Sequence, residues 1–461
     1  MPARAPLAVA LAAVVALLPA VAFADSDSNQ GVESLLDIYE QAIAADPQLR
    51  SQRLQLDELR EQRRETFGGL LPQATARAEA TRVRRDQISV SGGIFDDEEE
   101  EETRRNFTLE QYQVNIIQPL YDVGTARRLD QAESEVDRGE FELAAAEQEI
   151  VARVTEAYLA VLSAQSEVDL ARREVEAIEA AQERVEALYE ERMADITELE
   201  EVRARRDSAR ARALRAESDL DRAREELAEL TDARHYRLAG LSADADLPAI
   251  DPDDIDAWVA RALEQNPEIL AAEAAAEASR HAMRAARGEH YPSADLTAGY
   301  RRLDELDGTR FGREIEDWTI GVQIELPLYS GGSVSAAARG AESRRDQELE
   351  ALESTRRGVR TQVRGAFRSL ASARGEIEAQ ELAVRSNARN VEAMEARVAA
   401  GERPVVDLVD AQRDLFAARR DLAELRHQYL IDTLTLKAGA GTLDESDIVA
   451  LDRKFRAPSG E

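Results

Sequence analysis

The chain has 461 residues, with 59 Lys+Arg against 92 Asp+Glu, a formal charge of −33, no Cys, 4 His and 5% aromatics. Without Cys there is no thiolate metal site, cysteine nucleophile or disulfide framework, and the acidic excess argues against a nucleic-acid-binding face. At 33% charged residues and a mean hydropathy of −0.45, the chain is not a polytopic helical membrane protein.

Residues 1–24 read as a secretory signal peptide. Arg4 precedes an apolar run from Leu7 to Leu18, and Ala22-Phe23-Ala24 forms an A-x-A cleavage pattern before Asp25. No Cys follows to carry a lipid anchor. After residue 24 no apolar run approaches the ~18–20 residues of a spanning helix. Entry into a membrane therefore requires a β-barrel.

The rest of the chain repeats one plan. Asp46-Pro47-Gln48-Leu49 recurs as Asn266-Pro267-Glu268-Ile269, an offset of 266 − 46 = 220. Leu71-Pro72 recurs at the same offset as Tyr291-Pro292. Val114 to Tyr121 recurs as Val322 to Tyr329, an offset of 322 − 114 = 208. The lost 220 − 208 = 12 residues place an insertion in the first copy, where the acidic run Asp96 to Glu102 sits; that run reads as part of a loop tip.

The first repeat is expected over 25–230 and the second over 254–440, with a linker at 231–253 and a C-terminal tail at 441–461. In the first, helical periodicity from Ser34 to Thr66 is interrupted at Asp46-Pro47, an N-cap followed by a first-turn proline. Strands follow at about 73–90 and 106–121, then long helices at about 125–192 and 196–230. The second copy predicts strands at about 293–304 and 316–329 and helices at about 332–400 and 404–438. Trp318, Ile320, Val322, Ile324, Leu326 and Leu328 alternate with Thr319, Gly321, Gln323 and Glu325, a pattern with one side in lipid and one in water. In the first copy Tyr112, Val114 and Ile116 face outward, and Gln111, Gln113 and Asn115 inward. Sixty-odd helical residues at ~1.5 Å each span ~90–100 Å, the length of a coiled coil or a wall of something larger.

Four strands cannot close a membrane barrel, which needs about eight at the least. An open edge in lipid leaves backbone groups unsatisfied, so several protomers must share one barrel; three supply 12 strands. The fold class is thus an α+β membrane channel of two internal repeats, each with two β-strands and long α-helices. Three such chains would form one 12-stranded β-barrel, with the long helices as coiled coils or walls beside it. A soluble periplasmic coiled-coil adaptor or scaffold is the competing reading, and it leaves the lipid-type strands unexplained.

Asp46-Pro47-Gln48-Leu49-Arg50, Gly69-Leu70-Leu71-Pro72-Gln73, Gln118-Pro119-Leu120-Tyr121-Asp122, Leu326-Pro327-Leu328-Tyr329-Ser330-Gly331-Gly332, Gly401-Glu402-Arg403, Val406-Asp407-Leu408-Val409-Asp410-Ala411 and Gly441-Thr442-Leu443 follow one another along the chain. In order and spacing this set resembles the TolC family of outer-membrane efflux and secretion channels. The resemblance implies a homotrimer in outer-membrane lipid, a 12-stranded β-barrel continued by a long periplasmic α-helical, coiled-coil barrel. It implies a passive exit duct for drugs, toxic compounds or type I secreted proteins. Its partners would be a periplasmic adaptor (membrane fusion protein) and an inner-membrane transporter of RND, ABC or MFS type, with no nucleic acid.

Asp407 and Asp410 share a helix face and, by themselves, are ordinary first-turn acids complementing a helix dipole. The resemblance makes them the paired aspartates of a periplasmic constriction, a ring of six carboxylates in a trimer that attracts cations. At an offset of 407 − 198 = 209 they correspond to Glu198 and Glu201. The resemblance further implies an Arg403–Glu198 ion pair as a gate latch, with Glu201 as an additional acidic position. The family's tyrosine in this network aligns with Val398. No nucleotide, zinc-protease or hydrolase motif is present, and His235, His281, His290 and His427 lack metal-ligand spacing, so surface roles are expected. The reading is of a non-enzyme with no cofactor and no metal.

Overall fold

The structure, a computed structural model, describes residues 32–91, 99–241, 247–306 and 314–456. The expected signal peptide at 1–24 lies outside the described residues, as do residues 96–98 of the acidic run.

An elbow opens each repeat. Helix α1 (Leu35–Ala45) breaks at Asp46, and α2 (Pro47–Gly68) starts on a proline whose missing N–H has no helical partner to lose. Asp46 is 2% exposed; it accepts from Leu49 N at 2.6 Å and pairs with Arg153 Nη2 at 2.8 Å. Strands β1 (Gln73–Ser91) and β2 (Glu99–Tyr121) form an antiparallel hairpin, and the chain continues into α3 (Val123–Glu190) and α4 (Ile196–Thr231). The short β3 (Gly240–Leu241) lies between the repeats. The plan then recurs as α5 (Ile255–Gln265), α6 (Pro267–Gly288), β4 (Ser293–Leu306), β5 (Glu314–Glu325), α7 (Ser333–Ala399) and α8 (Val405–Gly439). Asn266 takes the place of Asp46 at the second elbow, accepting from Glu268 N at 3.0 Å and Ile269 N at 3.2 Å. Helix α9 (Glu445–Asp452) and β6 (Phe455–Arg456) complete the described chain. β6 pairs antiparallel with β3, so the segments expected as linker and tail are joined.

Two strand limits differ from those read in the sequence. β2 begins at Glu99 rather than near 106, and residues 99–102 pair with 88–91 of β1. Part of the acidic run is therefore paired strand and not loop tip, because hairpin pairing continues past the apolar stretch. β5 ends at Glu325 rather than near 329, since Pro327 has no N–H to give a ladder.

The repeats turn the strand-to-helix corner differently. After β2, Asp122 caps α3 by accepting from Thr125 N at 3.0 Å. After β5, Gly331 and Gly332 make the corner at φ +65° and +85°, a region that side chains disfavour.

At 68 and 67 residues, α3 and α7 are each ~100 Å long at ~1.5 Å per residue. α3 runs beside α2, α6, α4 and α8, and α7 beside α6, α5 and α8. Glycines allow the closest approach: a Cβ on Gly288 of α6 would lie 3.1 Å from Gly124 Cα of α3. The cores are strung along the helices. One cluster joins α1, α3, α4, α8 and α9, a second joins α5, α6, α7 and α8, and two smaller ones lie near the far ends of the long helices.

Two histidines contradict the surface expectation. His235 is buried with Thr231 Oγ1 at 2.7 Å and Glu33 Oε2 at 2.8 Å. His427 is buried in α8 with Nδ1 unpartnered, and burial pushes its pKa down to about 4. It lies in step with Leu430 and Leu434 on the packed face of α8.

Candidate functional site

The four long strands form one antiparallel sheet in the order β1-β2-β4-β5. Ile116, Ala298 and Ile320 stand in one cross-strand row, and Val114, Tyr300 and Trp318 in the next, all on one face. That face is open: Trp318 is 79% and Ile320 80% exposed. From Trp318 to Leu326 is 326 − 318 = 8 residues. At ~3.3 Å each and a tilt of ~40° that covers ~20 Å, near the ~25 Å apolar band of a membrane barrel.

Charge ends the band. One row beyond Trp318 and Tyr300, Arg302 pairs with Asp304 at 3.1 Å and Glu314 at 2.8 Å. Tyr112, Tyr300 and Trp318 lie at or beside this boundary, where amphipathic rings belong at a membrane interface. The opposite face carries Thr75, Asn115, Gly299 and Thr319, then Arg77, Gln113, Arg301 and Asp317, with Arg301 paired to Asp317 at 2.5 Å. Among the described residues, β1 and β5 each have a strand neighbour on one side only. Among the described residues no helix is long and apolar enough to cross a membrane.

At the other end, the α3–α4 and α7–α8 turns come together. Val405 and Val409 of α8 pack with Ile178, Ala181 and Val185 of α3 and Leu199 and Val202 of α4. The entry into α8 explains the polar contacts. Pro404 stands at its N-cap and has no side-chain acceptor, so the first helical N–H groups need partners from elsewhere. Glu198 of α4 supplies one, its Oε1 accepting from Val405 N at 3.1 Å. A carboxylate at this positive helix end gains from the dipole as well.

Within the single chain, Arg403 and Glu198 do not form the expected ion pair. Arg403 pairs with Asp407 at 3.4 Å, one turn along its own chain, while Glu198 serves as a cap. Sequence spacing allowed both arrangements; the orphan N–H behind Pro404 decides for the cap. Asp407 and Asp410 are both half-buried on α8 but differ in partners. Asp410 accepts from Arg205 Nη1 of α4, and Arg205 Nη2 donates to Glu201 Oε1 at 2.8 Å. Burial alone would lower the Arg205 pKa; the hydrogen bonds and charges of Glu201 and Asp410 outweigh it and hold it above the ordinary value. Val398 packs against both apolar clusters at this end, an apolar joint where the resemblance implies a tyrosine. The sequence reading missed Arg205. Its signal was an arginine four residues after Glu201, the acid matched to Asp410 by the repeat.

No group of three or more His, Cys, Asp or Glu able to hold a metal ion occurs among the described residues. The geometry is that of a membrane-embedded sheet continuous with a ~100 Å helical stalk that carries acidic side chains at its far end, the class of a membrane duct. The chain belongs to the outer membrane efflux protein family, whose pattern it matches over residues 38–232 and 258–442.

It is 31% identical over 273 residues to outer membrane protein TolC of Escherichia coli, covering 57% of this chain and 55% of TolC. It is 28% identical over 265 residues to the proteases secretion protein PrtF of Dickeya chrysanthemi, covering 57% of each. The matched stretch is thus about half the length of these relatives. Among solved structures, the Campylobacter jejuni outer membrane channel CmeC superposes with a TM-score of 0.75 at 16% identity, covering 91% of this chain and 89% of CmeC. The outer membrane protein VceC of Vibrio cholerae gives 0.74 at 18% identity, covering 88% and 96%. The fold is therefore that of the outer-membrane channels, and the outer membrane is its location.

Proposed function

We propose that three copies of this chain form one exit duct across the outer membrane, for efflux of drugs or toxic compounds and for type I protein secretion. The observation that carries this reading is a four-stranded sheet with a lipid-type face, two free edges and ~100 Å helices leading away from it. Each edge of one copy pairs with the opposite edge of the next, closing 3 × 4 = 12 strands with no edge left in lipid. The helices then close into a tube below the barrel. A soluble adaptor has no use for Trp318, Ile320, Val322 and Ile324 in an open row.

At the far end of the tube, Asp407 and Asp410 from each copy line a constriction that favours cations. Glu201 adds charge beside them, and Glu198 and Arg403 help hold α8 closed. The turn between α3 and α4 leaves Tyr189, Met193 and Ile196 exposed, an apolar tip suited to a periplasmic adaptor that couples the duct to an inner-membrane transporter. The description of the family, outer membrane efflux protein, and the name of one relative, a proteases secretion protein, support both kinds of cargo.

The test is fractionation followed by reconstitution. A heat-modifiable trimer in the outer membrane, conducting and cation-selective in planar bilayers, is the expected result. Release by osmotic shock, or an outer-membrane protein that forms no pores, would overturn the reading. Expression in a strain deleted for its own exit duct separates the cargoes through resistance to detergents and secretion of a protease.

A further inference from the structure

We propose that Arg205 sets how much negative charge the constriction presents, masking Asp410 while α8 lies against α4 and releasing it when the two part. This rests on the reading of Asp407 and Asp410 as lining residues.

The two aspartates are not equivalent in this structure. Asp407 has Arg403, a neighbour on its own chain that is 51% exposed and held at 3.4 Å. Such an exposed pair exchanges readily with water and salt. Asp410 has Arg205 from a different helix, only 24% exposed, whose second nitrogen is fixed by Glu201 at 2.8 Å. Arg413 adds a weaker contact to Asp410 at 3.6 Å. A guanidinium with both ends held has lost its rotamer freedom already, so it keeps its carboxylate paired while the helices stay together. A cation arriving at the closed constriction therefore meets Asp407 first.

Opening changes the count. Asp410 sits on α8 and Arg205 on α4, so any swing of α8 away from α4 carries the carboxylate away from its partner. Three more carboxylates then face the axis as the passage widens. Attraction for cations is maintained at the radius where it would otherwise be diluted. The bridge also ties the two helices, so its loss favours the open arrangement.

The test uses the purified trimer in planar bilayers, with reversal potentials in a KCl gradient and block by hexaamminecobalt as readouts. Three unmasked carboxylates ~10 Å from a trivalent ion, screened over ~10 Å, tighten block about tenfold. Arg205→Gln is expected to show that gain and higher cation selectivity, and Arg205→Lys to restore most of the wild-type behaviour. Asp410→Asn should abolish the effect of Arg205→Gln, since the arginine acts through that carboxylate. If Asp407→Asn lowers selectivity while Arg205→Gln changes nothing, the masking role is wrong and the constriction stands. If the Arg205→Gln effect persists in the Asp410→Asn background, the arginine acts elsewhere and the proposal fails. If neither aspartate affects selectivity or block, the constriction reading itself fails. Migration as a heat-modifiable trimer confirms that each variant has assembled.

Discussion

Replacing Glu198 separates capping from ion pairing as the force that holds α8 closed. Glu198 Oε1 accepts from Val405 N at 3.1 Å, behind a proline that cannot cap its own helix. Loss of an N-cap acceptor costs ~1 kcal/mol per chain, and the helix dipole adds a few tenths. If three tips move together, Glu198→Ala shifts the closed-to-open balance by ~4 kcal/mol, a factor of ~1,000. Glu198→Gln keeps a side-chain oxygen for Val405 and loses only the charge, so it should behave nearly as wild type. Arg403→Ser removes an exposed pair one turn long, worth ~0.3–0.5 kcal/mol per chain, and should shift the balance tenfold or less. The assay is single-channel open probability of reconstituted trimers. Equal opening by Glu198→Gln and Glu198→Ala would refute the cap, and a larger effect from Arg403→Ser would restore the arginine as the main latch.

Acid should weaken the assembled protein through His427. Its folded pKa of about 4 lies below the free value of 6.5, so between those values the unfolded chain binds a proton that the folded chain refuses. The stabilisation is full above pH ~6.5 and falls, by up to ~3 kcal/mol per chain, as pH drops toward 4. His427→Leu should melt with a shallower pH slope than wild type in that window, and an equal slope would exclude the histidine. On the sheet, Ile320→Arg places a charge on the lipid face and costs ~2–4 kcal/mol, while Thr319→Arg on the other face is tolerated. The readout is the amount of heat-modifiable trimer in the outer membrane. Asp46→Ala removes both the α2 cap and the partner of Arg153, so a loss of ~1–3 kcal/mol is expected in thermal unfolding, against a few tenths for a surface acid such as Glu61.

The repeat, the elbows and the lipid-type alternation were legible because each is local: a proline at a fixed offset, an N-cap before it, apolar side chains at every second position. The length of β2 was not, because Glu99 to Glu102 carry no strand signal and pair only because β1 is there to receive them. The partners at the tip were hidden for a different reason. With 59 basic side chains among 92 acidic ones, an arginine on these helices commonly has more than one acid to choose from, as Arg205 has Glu201 and Asp410. Which one it meets depends on the rotational phase of α4 against α8. Arg205 reaches Asp410 only because Val405 and Val409 seat α8 on α3 and α4. The burial of His427 could have been read from the spacing of Leu430 and Leu434, had the stripe been followed backward from the end of α8.

The two unpaired sheet edges bear on heredity as well as architecture. If three copies share one barrel as proposed, no copy settles in the membrane without borrowing its neighbours' strands, and each duct samples three gene products at once. In a cell making equal amounts of a normal and a defective chain, only about one duct in eight contains three normal copies if they mix at random. A variant with an intact sheet and a jammed helical end should therefore be dominant over the normal gene. A variant such as Ile320→Arg, which never joins the barrel, should be recessive.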